Sequence, residues 1–235
     1  MKNSNVQLKR FAGADALQSE VATDIAALLA RAIAARGRAS LLVSGGHSPA
    51  GLFEQLSNQV LDWSRVSIAL VDERWVEPTD PGSNERMVRA ALLRGAAAAA
   101  RFFGSKNPAP SPGLGAAAAW NASAHISRPV DVTVLGMGDD GHTASLFPGS
   151  PNLRSALDPQ TPEGYVGMWS PSAPHERLSL NLSALLDSRR ILLFLLGEAK
   201  LRTYAAACGP GPVEDMPVRA VLRQQRIPVE VVWAP

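Results

Sequence analysis

Residues 130–142 read Val-Asp-Val-Thr-Val-Leu-Gly-Met-Gly-Asp-Asp-Gly-His, so that a run of β-branched residues and leucine leads directly into a glycine-rich loop. The run Val130 to Leu135 has the composition and length of a buried β-strand. The loop carries two aspartates and ends at His142. A buried strand that ends in a polar, glycine-rich loop is typical of α/β sheets, whose ligands bind beyond the carboxyl ends of the strands.

Similar short runs of valine, isoleucine and leucine recur along the chain and alternate with alanine- and leucine-rich stretches. This alternation predicts an α/β fold with a doubly wound, mainly parallel sheet and helices on both faces, that is, a Rossmann-like three-layer sandwich. The predicted strands are Val6 to Phe11, Ser40 to Val43, Val66 to Val71, Val130 to Leu135, Arg177 to Leu182, Ile191 to Leu196 and Val229 to Trp233. The predicted helices are Ala14 to Ala35, Pro49 to Ser57, Ser83 to Leu93, Leu114 to Ile126, Glu198 to Ala207 and Pro217 to Gln224.

Length and charge limit the kinds of partner. A chain of 235 residues is long enough for one sizeable core, so we expect a single domain over residues 1–235. Lysine and arginine number 23 against 21 aspartates and glutamates, and the basic residues are scattered, which predicts a small-molecule partner and neither a nucleic acid nor a membrane. Without an apolar signal core we expect a cytoplasmic protein, as a monomer or weak dimer. We expect the single cysteine, Cys208, to be buried and inert.

Three polar loops follow predicted strands, and this convergence is the main functional signal. They are Ser-Gly-Gly-His-Ser-Pro at 44–49, Asp-Glu-Arg-Trp at 72–75 and the loop at 136–142. Because the carboxyl ends of parallel strands share one edge of the sheet, these loops are expected to meet there. Together they bring glycines, an arginine, carboxylates and histidines to one site.

The first loop is suited to binding phosphate. Gly45 and Gly46 allow a tight turn, Ser48 can cap a helix, and Pro49 suits the first helical position, which leaves backbone N–H groups free for an anion. An ordinary strand-to-helix turn has the same composition, so the loop alone leaves both interpretations open. The segment also approximates the nucleophile elbow of serine hydrolases, but Pro49 lacks the N–H that such an elbow contributes to the oxyanion hole.

His142 is the candidate general base. Imidazole titrates near neutrality and can take a proton from water, and Asp140 is placed to fix its tautomer. The literal dinucleotide fingerprint at 136–141 is rejected because Asp139 and Asp140 bring negative charge to the pyrophosphate position and no long helix follows. A metal site built from Asp139, Asp140 and His142 is chemically possible but lacks the spacing of a zinc motif, and a solvated acidic turn is preferred to it.

Cations near the same edge are candidates for holding an anion. Arg74 can grip a phosphate with two hydrogen bonds or stabilise an oxyanion, although an internal ion pair with Asp72 or Glu73 is the plain alternative. Arg177, at a strand start, and Lys200, just inside a helix, can complete the anion site. Both residues could equally well be ordinary surface charges without a ligand.

The chain resembles the 6-phosphogluconolactonases, which share a fold with glucosamine-6-phosphate deaminases. The resemblance covers nearly the whole chain. It rests on the segments 44–49, Asp72-Glu-Arg with Ser83-Asn84, Gly136-Met-Gly-Asp-Asp-Gly-His-Thr-Ala-Ser-Leu-Phe-Pro148, Arg177-Leu-Ser-Leu-Asn181 and Gly197-Glu-Ala-Lys200. It implies hydrolysis of 6-phospho-D-glucono-1,5-lactone with no cofactor and no metal. The predicted catalytic residues are His142, Asp140 and Arg74, and the predicted substrate-binding residues are Ser44, Gly45, Gly46, His47, Ser48, Asp72, Arg177 and Lys200.

The residues after His142 separate this prediction from its nearest rival. The deaminases typically continue through Phe-Asn-Glu-Pro, whose glutamate is catalytic, whereas this chain has Ser-Leu-Phe-Pro at 145–148 and no glutamate. His47 departs from the Ser, Thr or Arg that is more frequent in the family, which leaves its part in phosphate binding open. Two alternatives remain: a deaminase-like sugar-phosphate isomerase, and a sugar-phosphate sensor without turnover.

Overall fold

The computed structural model describes residues 5–170 and 174–235. Its strands are β1 (Val6–Arg10), β2 (Ala39–Val43), β3 (Val66–Leu70), β4 (Asp72–Arg74), β5 (Arg101–Phe103), β6 (Val132–Leu135), β7 (Tyr165–Met168), β8 (Arg177–Leu180), β9 (Ile191–Leu196) and β10 (Val229–Ala234). Its α-helices are α1 (Ala14–Arg36), α2 (Ala50–Ser57), α3 (Asn84–Ala91), α4 (Pro112–Ala122), α5 (Leu153–Leu157), α6 (Leu182–Leu186), α7 (Glu198–Cys208) and α8 (Val218–Arg223). None of the helices within these ranges is both long and apolar enough to cross a membrane.

A seven-stranded parallel sheet forms the centre of the fold. Its order is β1-β10-β9-β6-β2-β3-β5, and every neighbouring pair is parallel. From β2 the chain adds β3 and β5 towards one edge, whereas β6, β9 and β10 extend towards the other. The order therefore reverses between β2 and β6, and this gap is the switch point at which open α/β sheets bind ligands. The predicted α/β class is confirmed.

Helices cover both faces of this sheet. Leu41 and Val43 of β2 belong to one buried apolar cluster with α1, whereas Leu42 belongs to a second cluster with α6 and α8. Successive residues of a strand point to opposite faces, so the alternation in β2 places one cluster on each side. Each leucine so buried contributes about 1.5–3 kcal/mol relative to exposure. The buried strands hold the polar loops at their carboxyl ends in fixed positions.

A second, smaller sheet is the main departure from the predicted fold. It has three antiparallel strands in the order β4-β8-β7. The predicted strand Arg177 to Leu182 exists as β8, but it pairs with β4 and β7 and not with the parallel sheet, whose seventh strand is β5. Strands β4, β5 and β7 are three or four residues long. Such short strands are specified by their pairing partners more than by local composition.

The remaining corrections concern local features. Pro49, predicted at the first helical position, is instead the N-cap of α2, which begins one residue later at Ala50. No side chain caps this helix, so the predicted cap by Ser48 is wrong. Pro49 adopts a helical backbone conformation there (φ −84°, ψ −2°), and a cap that accepts through its side chain ordinarily has an extended backbone. Cys208, predicted to be buried, is exposed as the last residue of α7.

Candidate active site

A pocket of about 260 Å³ opens at the switch point between β2 and β6. The predicted site residues in its wall are Ser44, Gly45, Gly46, His47, Ser48, Asp72, Arg74, His142 and Lys200. Asp140 lies behind His142, and Arg177 lies outside the wall as far as the described residues define it. The structure therefore brings the three post-strand segments together with the lysine near the start of α7. The second segment, predicted as a loop, is strand β4 over most of its length.

His142 and Asp140 form a short hydrogen-bonded pair. Asp140 Oδ1 lies 2.6 Å from His142 Nδ1 and accepts a second hydrogen bond from the His142 backbone N–H at 3.0 Å. Burial raises the pKa of Asp140, but the hydrogen bonds and the charge attraction of His142 outweigh it, so the pKa of Asp140 lies below its usual value. An ionised Asp140 holds the proton of the neutral imidazole on Nδ1, which leaves Nε2 as the acceptor.

The loop backbone fixes the position of the imidazole ring. A Cβ atom on Gly138 would lie 2.1 Å from His142 Nδ1, so only glycine allows the ring to pack this closely on the chain. Gly138 N also donates to the carbonyl of His142 at 2.9 Å. On another side the ring packs against Phe147, with centroids 4.4 Å apart. The histidine is held between a glycine backbone and an aromatic ring.

The glycine turn at 44–49 is tied to the loop that carries His142. Ser44 N donates to the carbonyl of Val134 at 3.0 Å, and Gly136 N donates to Ser44 Oγ at 3.4 Å. Thr143 Oγ1 donates to the carbonyl of Gly136 at 2.8 Å, which closes the loop on itself. Gly46 has a φ of +96°, a conformation that favours glycine. The two candidate ligand-binding loops thus form one hydrogen-bonded unit.

Two cations line the pocket and are held in different ways. Arg74 Nη1 donates to the carbonyl of Gly82. The plain alternative from the sequence, an ion pair of Arg74 with Asp72 or Glu73, is not the contact observed. Lys200 Nζ forms an ion pair with Asp139 Oδ1 at 2.7 Å, and the side chain of Asp139 is 80% exposed. Because Asp139 and Asp140 engage different partners, the two carboxylates do not converge on one point.

Arg177 lies beside Arg74 but does not reach the pocket wall. The two residues are directly opposite each other in the β4–β8 ladder, and Arg177 Nη1 donates to the carbonyl of His175 at 2.8 Å. Burial, and then the nearby charge of Arg74, lower the pKa of Arg177. Its guanidinium places a second positive charge close to that of Arg74.

Asp72 and Ser145 form a polar contact that the sequence did not reveal. Ser145 Oγ donates to Asp72 Oδ2 at 2.6 Å, and Ser145 N donates to Ser179 Oγ at 3.1 Å. All three residues are buried. Ser145 belongs to the segment that distinguishes the two predicted activities, but only the second sheet brings it to Asp72. This contact orients a carboxylate in the pocket wall.

Glu73 is a further residue of the site that sequence reasoning missed. Its carboxylate is 1% exposed and accepts hydrogen bonds from the backbone N–H groups of Arg74, Asn84 and Glu85 and from Ser83 Oγ, at 2.7–3.0 Å. Burial raises the pKa of Glu73 against the opposing effect of these hydrogen bonds. The carboxylate fastens the start of α3 to β4. The sequence offered one sign of this contact: the family motif contains residues 72–74 together with Ser83-Asn84.

Comparisons with known proteins agree with this geometry. The family model for glucosamine-6-phosphate isomerases and 6-phosphogluconolactonases matches residues 12–233. The chain belongs to this family. A 6-phosphogluconolactonase of Rhizobium meliloti strain 1021 is 45% identical over 225 residues, which are 96% of this chain and 97% of the relative. One of Pseudomonas aeruginosa is 46% identical and covers 92% of this chain and 89% of its own.

Solved structures of the family superpose closely on the fold. The crystal structure of a 6-phosphogluconolactonase from Shewanella baltica OS155 has a TM-score of 0.96 and is 45% identical, and the match covers 100% of both chains. In this chain, the pocket at the switch point contains the hydrogen-bonded His142–Asp140 pair. Across residues 5–170 and 174–235, no cluster of three or more histidine, cysteine, aspartate or glutamate side chains is arranged to hold a metal ion.

Proposed function

We propose that this chain hydrolyses 6-phospho-D-glucono-1,5-lactone to 6-phospho-D-gluconate, with His142 as the general base. The observation that carries the proposal is the His142–Asp140 pair, joined at 2.6 Å in the wall of a pocket that also holds Arg74, Lys200 and a glycine turn. The names of the relatives, at 45–46% identity over nearly the whole chain, support the same reaction.

The first step requires a base and a water molecule. His142 Nε2 takes a proton from the water, whose oxygen attacks the lactone carbonyl carbon and forms a tetrahedral oxyanion. Asp140 keeps the opposite ring nitrogen protonated and stabilises the imidazolium that results. General-base catalysis of this kind contributes roughly 10²- to 10⁴-fold.

The second step breaks the ester bond. As the oxyanion collapses, the bond between the carbonyl carbon and the ring oxygen breaks, and the protonated His142 delivers its proton to the departing oxygen. Arg74 and the backbone N–H groups of the loops supply positive charge for the oxyanion. The products are a hydroxyl group on the opened chain and a carboxylic acid, which ionises at neutral pH.

Substrate binding relies on the phosphate. The Gly45–Gly46 turn presents backbone N–H groups, and Arg74 and Lys200 add charge at the same pocket. The phosphate docks on these groups and so positions the lactone ring against His142. Ser44, His47 and Ser48 lie along the same wall, and Asp72 faces the pocket from β4.

The deaminase alternative and the sensor alternative predict different products. Lactone loss, corrected for spontaneous hydrolysis, and ammonia release from glucosamine 6-phosphate are measured on the same preparation near neutral pH. We expect rapid lactone loss and no ammonia. Ammonia release without lactone loss would establish the deaminase, and binding of 6-phosphogluconate with lactone decay at the buffer rate would establish the sensor.

A further inference from the structure

Lys200, which lines the pocket, has a carboxylate partner from outside the pocket wall. Its Nζ lies 2.7 Å from Oδ1 of Asp139, a residue 61 positions away in the chain. Lys200 belongs to the wall at the switch point, whereas Asp139 does not, as judged over residues 5–170 and 174–235. The side chain of Asp139 is 80% exposed, and that of Lys200 is 23% exposed. One ammonium group therefore connects the pocket to a solvent-exposed carboxylate.

The position of Lys200 in α7 is unfavourable for the helix itself. It is the third residue of the helix, in the first turn, whose free backbone N–H groups carry partial positive charge. Cations stabilise a helix in its last turn and are repelled by its first. The stability of α7 does not account for a lysine at this position. The lysine and the helix end together attract an anion.

The two neighbouring aspartates of the loop after β6 have separate tasks. Asp140 pairs with the proposed base His142, whereas Asp139 pairs with Lys200. The backbone of Asp139 also contacts α7, because Thr203 Oγ1 donates to its carbonyl at 3.4 Å. Loop and helix thus meet at Asp139, and this contact keeps its carboxylate close to the lysine.

A phosphate that contacts Lys200 must lie close to Asp139. Hydrogen bonds from an ammonium to an anionic oxygen are about 2.7–2.9 Å long, so two anions on one ammonium are at most about 6 Å apart. This separation is shorter than the Debye length of about 8 Å at physiological ionic strength, so salt screens their repulsion only in part. An exposed ion pair, in turn, does little to hold its lysine in place. We therefore expect Asp139 to repel a phosphate more than it helps by orienting Lys200.

We propose that Asp139 weakens the binding of the ligand's phosphate at Lys200 and so limits inhibition by the phosphorylated product. The inference rests on the proposed function, in which the product keeps the phosphate of the substrate and must leave after each turnover. Repulsion grows with the charge of the ligand, so Asp139 acts more strongly on a dianion than on a monoanion. The residue sets how tightly the site holds a phosphate, and it takes no part in the proton transfers.

The test compares two ligands that differ by about one unit of charge. One is 6-phosphogluconate, whose phosphate is mostly dianionic at about pH 7.5, and the other is gluconate 6-sulfate, whose ester group is a monoanion of similar shape. Dissociation constants are measured by calorimetry for the wild type, Asp139→Asn and the matched control Asp62→Asn. We expect Asp139→Asn to bind 6-phosphogluconate about fivefold more tightly and the sulfate about twofold more tightly. Asp62→Asn keeps both wild-type values, because the exposed Asp62 pairs with Arg65 away from the pocket.

Three results would overturn the inference. Weaker binding of 6-phosphogluconate in Asp139→Asn would show that Asp139 acts by positioning Lys200, and unchanged binding would show that it does not act on the ligand. Equal tightening of both ligands would exclude repulsion as the cause.

Ionic strength provides a second measurement. We expect the advantage of Asp139→Asn to shrink as the salt concentration rises to about 0.5 M, because salt screens exposed charges. An advantage that is independent of salt would also contradict the inference. Lactone hydrolysis is measured on the same proteins. Tightening in Asp139→Asn without lactone hydrolysis by the wild type would refute the proposed function alone, whereas hydrolysis without tightening would refute this inference alone.

Discussion

The loop that follows β6 and the segment from β4 to the start of α3 line the same pocket but are held in different ways. In the loop, the decisive contact joins His142 to Asp140, two residues apart, and both side chains are partly exposed. In the segment, the buried Glu73 reaches across to residues 83–85, and Asp72 meets Ser145, 73 residues away. We therefore expect substitutions in the loop to affect activity much more than stability, whereas substitutions in the segment are expected to affect both.

Replacement of His142 gives the largest expected loss of activity. We expect His142→Ala to lower kcat by about 10²- to 10⁴-fold because the base is removed. The thermal midpoint is expected to change little because the His142 side chain is 29% exposed. KM is expected to change little because the proposed role of His142 is at the lactone carbonyl and not at the phosphate. Lactone loss above the spontaneous rate measures kcat. The exposed His125, outside the pocket, provides the control variant His125→Ala. A large fall in the thermal midpoint would show that the loop is not separable from the fold.

Replacement of Arg74 is expected to act mainly on the phosphorylated substrate. We expect Arg74→Ala to lower kcat/KM by about 10- to 100-fold, the range for a lost hydrogen bond to a charged group. The loss with unphosphorylated gluconolactone is expected to be smaller. Arg86→Ala is the matched control, because Arg86 also donates to a backbone carbonyl but lies outside the pocket. A near-normal kcat/KM in Arg74→Ala would leave this arginine with a structural role only.

Ser145 tests the long-range contact of the segment. Because Ser145 Oγ donates to Asp72 Oδ2 at 2.6 Å, we expect Ser145→Ala to lower kcat/KM by about three- to tenfold and also to lower the thermal midpoint. The buried serine Ser188, which bonds Thr133 away from the pocket, is the control: Ser188→Ala is expected to affect the midpoint alone. Loss of stability without loss of kcat/KM in Ser145→Ala would remove Asp72 from the functional surface.

The smallest effect concerns the pH dependence of stability. The pKa of Asp140 is lower in the folded chain than its ordinary value of 3.8. Its carboxylate therefore stabilises the fold above that value, and the contribution is lost as the pH falls through the folded pKa. We expect the wild type to exceed Asp140→Asn in free energy of unfolding by a small, constant amount near neutrality, and the difference to shrink in acid. Denaturant titrations from neutral to acid pH measure it, and a difference that grows in acid would contradict the assignment.

Features set by local pattern could be predicted from the sequence. The runs at Ser40 to Val43, Val130 to Leu135 and Ile191 to Leu196 are buried on both faces, and such runs are recognisable as parallel strands. The polar segments after Ser40 to Val43, Val66 to Val71 and Val130 to Leu135 were expected to meet because the carboxyl ends of parallel strands share an edge. The proximity of Asp140 to His142 follows from two residues of separation in a glycine-rich loop.

Features set by distant partners could not be predicted. Glu73 has the appearance of a surface charge, and only the fold shows that four donors surround it. Arg177 begins a strand as expected, but that strand pairs with β4 in a second sheet, which local sequence does not reveal. Serine often caps helices, so Ser48 was a reasonable candidate, yet the N-cap of α2 is Pro49 and no side chain caps this helix. Asn84 packs against Gly45, which is close to it only in three dimensions.

The most direct test of His142 as the base is chemical rescue. Lactone loss is measured for His142→Ala at increasing imidazole concentrations near neutral pH, and the hydrolysis that imidazole causes without protein is subtracted. Free imidazole can supply the missing base in the space vacated by the side chain. We therefore expect activity to rise with imidazole in His142→Ala and to stay level in the wild type and in His125→Ala. A His142→Ala variant that hydrolyses the lactone at the wild-type rate without imidazole would contradict it.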